Sequence, residues 1–297
     1  MIKKSVCLVL SIVTIAFVSC NSGNEESKNA ENIDVVDSVS KSTDSLNNNL
    51  TEDFESSYNL PSALQIAYVF KKSGAGFNMQ LLNSKSNASK YNTSNYKRAV
   101  NFGIYSTDIA YCIFNKKYQE AKESLKACKD VGAFLGINQA FESDNMIQRF
   151  DKNISNEDSI IKIISNVQLK TDIMFEQNKQ KHIVAIAFTG AWTESVFIAL
   201  DAYKSEKNKK ILSSLMEQLL LSETIIKALK NYQDTEPELK DLISKIENIN
   251  SLVNKITSVK SAIEKGEEIN FDLISVTDTE LQPISETVKS LREEMIK

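Results

Sequence analysis

The side chains of this chain that could do chemistry are carboxylates and tyrosines, with little help from histidine or cysteine. One histidine, His182, occurs in 297 residues. A zinc site needs several nitrogen or sulfur ligands, and a Ser-His-Asp relay needs a histidine beside an exposed nucleophile. His182 instead stands between Lys181 and an apolar run, where a helix-start histidine bonding locally is the expectation. The Glu-x-x-His pairs of a di-iron bundle are also missing. No metal and no cofactor is therefore expected. Of the four cysteines, Cys112 and Cys128 fall on consecutive expected helices, about two turns out of register. A disulfide needs Cα atoms within ~7 Å, so the expectation is two small buried hydrophobes.

More informative are Asp108, Asp172 and Glu194, carboxylates set inside apolar helical stretches. A buried carboxylate is costly unless it is paired or hydrogen-bonded. One reading has Arg98 or Arg149 neutralise such a group, or Tyr105, Tyr111 or Tyr203 donate to it. The other is a polar pocket lined by Tyr105, Asp108, Tyr111, Trp192 and Glu194, taking a small ligand or supporting acid–base chemistry.

Helices must position these groups. The chain has eight glycines and three prolines, and apolar residues recur at helical spacing, which predicts an all-α fold. A helix is expected from Leu60-Pro61 to about Lys72, then a loop to Thr93 whose Phe77, Met79, Leu81 and Leu82 pack down. The next helices span Asn95–Phe114 and 117–135, followed by a shorter one ending near Phe150. Ser155 to Asp158 reads as an N-cap, opening a helix to about Asn178 with a core face of Ile160, Ile163, Ile164, Val167, Ile173 and Met174. The most apolar stretch, 182–203, has Glu194 well inside it and Trp192 mid-run. That argues for a central buried helix over a membrane span. Farther on, Leu212, Leu215, Leu219, Ser222, Ile226 and Leu229 repeat at 3-4 spacing. The same rhythm resumes from Leu239 through Leu242, Ile246, Ile249, Val253, Ile256, Lys260 and Ile263, after a capping-box pattern at 235–238. The expectation is a long antiparallel coiled-coil-like hairpin, its second arm ~40 Å long and ended by Gly266. A terminal helix follows from Leu281 to Ile296.

The N-terminal stretch has another character. Lys3 and Lys4 precede an apolar run, 6–18, too short to cross roughly 30 Å of hydrocarbon and suited to a secretory leader. Its end, Phe17-Val18-Ser19-Cys20, resembles the lipobox of bacterial lipoproteins, with Phe17 where that family usually has Leu. The resemblance implies cleavage before Cys20 and lipid attachment to its thiol, hence a cell-envelope, outer-membrane lipoprotein facing either the periplasm or the outside. Residues 21–58 carry nine acidic side chains against Lys28 and Lys41 and few large apolar ones, the composition of a disordered tether, with a reach of about 35 Å. Asn24-Glu25-Glu26 resembles the acidic export signal of surface lipoproteins in Bacteroidetes. Asp37-Ser38-Val39 and Asp44-Ser45-Leu46 resemble that group's O-glycosylation sequon, which would place sugar on Ser38 and Ser45.

The domains expected are a leader (1–19), the lipidated cysteine and tether (20–58), a helical bundle (59–205), and the hairpin with its terminal helix packing on the bundle (206–297). Of the formal net charge of −4 the tether carries −7 and the leader +2, leaving the body at about +1 with three arginines. No basic field is offered to nucleic acid. The patterns Asn101-x-Gly103-x-Tyr105-x-x-Asp108-x-x-Tyr111 and Gly190-x-Trp192-x-Glu194 resemble a group of helical lipoproteins of Bacteroidetes. That likeness implies a helical fold and an envelope compartment, and no activity. The leading expectation is a non-enzymatic, lipid-anchored protein that binds an envelope protein partner or ligand. An enzymatic or small-molecule-binding domain around Asp108, Trp192 and Glu194, and a structural spacer, stand beside it.

Overall fold

The computed structural model describes residues 76–142 and 145–297. Cys20, the tether with Ser38 and Ser45, and the helix expected at 60–72 lie outside the described residues. Those residues form an all-α bundle, with no strand among them.

Two short 3₁₀ turns, Met79–Leu81 and Lys85–Tyr91, open the described chain. Leu81 is buried and Phe77 and Leu82 pack on the core, as the loop's apolar island requires, while Met79 faces solvent. Helix α1, Asn95–Phe114, starts where Ser94 accepts the Lys97 N–H, a side-chain cap of the usual kind. Helix α2 is Tyr118–Ala133, and the single short helix expected next is two, α3 (Asn138–Glu142) and α4 (Met146–Lys152).

Helix α5, Glu157–Gln177, is capped one residue later than its sequence suggests: Asn156, not Ser155, accepts the Ser159 N–H. Its inner face is Ile160, Ile163, Ile164 and Val167, continued by Thr171 and Phe175; Ile173 is exposed and Met174 half-buried. The stripe drifts because 3.6 residues per turn carries a core face around a long helix. Helix α6, Lys181–Glu206, is the axis of the bundle, and the most apolar window of this span-length helix is 89% buried.

The hairpin forms with each arm broken once. Its first arm is α7 (Lys209–Leu220) and α8 (Ser222–Lys230); its second is α9 (Glu238–Asn254) and α10 (Thr257–Lys265). The 3-4 seam is buried from Leu212 to Ile256 and emerges at Lys260 and Ile263, both exposed. The second break has a non-local cause. Glu280, from the start of the terminal helix α11 (Asp278–Met295), accepts the Thr257 N–H and hydroxyl, both at 2.7 Å, and so caps a new helix inside the expected arm. The expected capping box at 235–238 is absent: Thr235 donates to the Tyr232 carbonyl within the turn, and Pro237 supplies no side-chain cap. Gly266, at φ +66°, ends α10, a backbone conformation that glycine adopts without strain.

Candidate functional site

The site begins with two glycines. A Cβ on Gly103 of α1 would stand 1.8 Å from the Ala187 carbonyl oxygen, and one on Gly190 of α6 would stand 2.0 Å from that of Val100. Any side chain at either place would therefore part the helices, and glycine lets the two backbones touch. Thr107 Oγ1 donates to the Ala191 carbonyl at 3.1 Å and extends the contact. The pairing runs in one sense, from Val100 beside Gly190 to Thr107 beside Ala191. One step farther the side chains of Asp108 and Glu194 meet, both wholly buried.

Arg292 reaches this pair from α11. Its Nε donates to Glu194 Oε2 at 2.5 Å and its Nη2 to Oε1 at 2.7 Å, the forked arrangement that guanidinium and carboxylate favour. The same Nη2 donates to the Leu81 carbonyl at 2.6 Å, and the guanidinium lies 4.3 Å from the Phe197 ring centroid. Only 7% of Arg292 is exposed.

One guanidinium cannot balance two buried carboxylates. Burial, then the neighbouring Glu194 charge, holds the Asp108 carboxyl well above the usual carboxylate range. Burial raises Glu194 too, and the Arg292 guanidinium opposes it. The arrangement that closes the charge is a neutral Asp108 donating its proton to an ionised Glu194. Asp108 Oδ2 meanwhile accepts the Asn83 N–H at 3.0 Å.

Around this triad the polar groups are engaged in turn. Asn83 donates to Asn101 Oδ1 at 3.3 Å, and Asn101 donates to the Met295 carbonyl at 2.9 Å. The Tyr91 hydroxyl lies 3.1 Å from both Asn83 Oδ1 and the Ile296 carbonyl. Tyr105 donates to the Ser84 carbonyl at 2.7 Å. The network therefore fastens the 76–91 segment and the C-terminal end of the chain to the α1–α6 pair.

Of the five residues proposed to line one pocket, Asp108 and Glu194 are brought together, and Tyr105 and Tyr111 lie one turn to either side of Asp108 on α1 with their hydroxyls bonded elsewhere. Tyr111 donates to the Gly76 carbonyl and accepts the Asn78 N–H, both at 2.9 Å. Trp192 faces away from Glu194, because residues two apart on a helix diverge by about 200°. Its Nε1 donates to the Gln218 carbonyl on α7 at 2.7 Å. Nor do the expected arginines serve the carboxylates. Arg98 donates to Asn95 Oδ1 and the Asn92 carbonyl, and Arg149 is exposed on α4. Asp172 is exposed on α5. The partner of Glu194 is Arg292, whose signal in the sequence is its place four residues after Val288, on the buried stripe of Leu281, Ile284, Val288, Leu291 and Met295.

His182 starts α6 beside Tyr232, with Nε2 3.6 Å from Glu236 Oε1. Cys112 and Cys128 are free and buried, and burial pushes both thiols up, away from the reactive thiolate form. Among the described residues no group of histidine, cysteine and carboxylate side chains is arranged to hold a metal ion. A concavity of about 450 Å³ lies elsewhere, lined by Glu217 and residues 268–272.

No protein-family model, curated protein or solved structure matches the chain.

Proposed function

We propose that this protein is a lipid-anchored component of a bacterial cell envelope whose helical body is a rigid, non-catalytic module that binds another envelope protein. The observation that carries the reading of the body is the Asp108–Glu194–Arg292 cluster. Its carboxyls are wholly buried and spent on each other, on one guanidinium and on the Asn83 N–H. A general acid or base must reach a substrate proton within hydrogen-bond distance; these groups reach only the protein. They serve as a clamp on three segments of chain, which keeps the outer helices in fixed positions for recognition.

The anchor rests on the leader ending at Cys20. Two or three acyl chains there would make attachment lasting, since each buried methylene contributes ~0.8 kcal/mol. Metabolic labelling with a fatty-acid analogue tests it. The wild-type chain should take up label and sediment with membranes, and Cys20→Ala should do neither. Unlabelled wild type, or a labelled Cys20→Ala chain, would remove the anchor.

A further inference from the structure

Several surface carboxylates of the hairpin and its surroundings are paired with a lysine. Glu223 has Lys227, Glu247 has Lys230, Asp241 and Glu294 share Lys245, and Glu293 has Lys289. One place differs. Between α7 and the connection from Gly266 to Thr277, the concavity of about 450 Å³ is lined by Glu217, Glu268, Ile269, Asn270, Phe271 and Asp272. Among the described residues no lysine or arginine forms an ion pair with its three carboxylates, and Glu267 beside them is equally unpaired.

The groove is held in shape before anything enters it. Ser213, one turn before Glu217 on α7, donates to the Phe271 carbonyl at 2.6 Å. Asn270 Oδ1 accepts the Asp272 N–H at 3.0 Å, and Ser258 donates to the Ser275 carbonyl at 2.9 Å. Ile274 and Val276 are buried and pin the connection on the body. Between these anchors Leu273 is turned outward with 75% of its surface exposed, and Ile263 is also exposed on the last turn of α10. A fixed, negatively charged trough with an uncovered leucine at its rim is complementary to a cationic side chain flanked by an apolar one.

We propose that this groove docks a lysine- or arginine-bearing segment of another protein, with an apolar residue of that segment seated on Leu273. The charge of the site argues against two nearer occupants. The chain's own tether has nine acidic residues against two lysines and would be repelled, and anionic lipid headgroups carry the same sign. The proposal rests on the partner-binding reading and names the surface and the chemistry it uses.

The test uses the full lipidated chain in detergent and a fluorescein-labelled peptide of alternating lysine and leucine, with a glutamate–leucine peptide as control. The lysine peptide should bind and the glutamate peptide should not. Glu217→Lys, Glu268→Lys and Asp272→Lys together should weaken binding about tenfold or more, as three lost and reversed surface pairs would. Leu273→Ser should weaken it severalfold, and added salt should weaken the wild type most. All four side chains are exposed, so unchanged denaturation midpoints will show that these variants fold. Equal binding by the wild type and the triple variant, or by the two peptides, overturns the groove. Crosslinking in cells separates the two layers. A partner retained by the triple variant overturns the groove and leaves partner binding standing. The absence of any crosslinked protein from the wild type overturns the reading on which the groove rests.

Discussion

The contact between α1 and α6 and the hairpin of α7 to α10 solve the same packing problem in opposite ways. At the first, two glycines bring backbones into contact and a buried ion pair with a neutral acid is fitted beside them. At the second, leucines and isoleucines fill a continuous seam, and no charged side chain is buried in it. The first arrangement has no near substitutes, because a methyl group meets a carbonyl and a lost guanidinium leaves a buried charge. The second is a sum of many similar apolar contributions, each replaceable at modest cost. Stability should therefore be concentrated in a few residues of one region and distributed over many in the other.

The largest effect is expected from Arg292→Met. It leaves the Glu194 charge buried without its partner, which costs about 3–5 kcal/mol. Adding Glu194→Gln to the same chain should recover part of that loss, since no charge is then stranded. Urea denaturation will read both as shifts of midpoint at constant slope. A loss no larger than that of an ordinary surface change would place the clamp outside the cooperative core.

A matched pair of single-methyl changes sharpens the contrast. Gly190→Ala pushes a Cβ against the Val100 carbonyl and should cost about 3 kcal/mol, the upper end for overpacking. Ile246→Val, at a fully buried position of the seam, should cost about 1 kcal/mol. Equal costs, read from the same denaturation curves, would erase the distinction between the regions.

Legibility in the sequence divides along the same line. The bounds of α1, the buried course of α6 and the stop at Gly266 follow from periodicity and turn chemistry, all local signals. What escaped depends on partners distant along the chain. Arg292 finds Glu194 across 98 residues, and no spacing rule announces that pairing. The break at Thr257 is made by Glu280, whose carboxyl is pulled down to about 2 by the hydrogen bonds it accepts from Thr277 and Thr257. Two stretches carry the same Thr-x-x-Glu pattern. At 235–238 the threonine turns back into its own loop, while at Thr277 and Glu280 the reciprocal box closes. The pattern alone does not decide; the register of the preceding turn does. For the site, Asp108 and Glu194 stand out in the sequence as carboxylates in apolar surroundings. Their engagement with each other becomes visible only once Gly103 and Gly190 are seen to bring the helices together.

The proton shared by Asp108 and Glu194 is what lets one guanidinium balance the buried cluster, and the pH dependence of stability tests it most directly. An aspartate whose pKa is raised on folding is fully stabilising below its unfolded value, near 3.9. That contribution is lost as pH rises toward its folded value, because the native state then holds a proton that the unfolded chain has released. Asp108→Asn keeps a neutral donor and an acceptor in the same place and has no proton to lose. Between pH 5 and 7 the stability of the wild type relative to Asp108→Asn should fall by about 1.4 kcal/mol per pH unit, until Asp108 ionises and the difference levels off. Parallel stability profiles over that range would show that Asp108 is already ionised in the native protein, and would contradict the neutral-acid clamp.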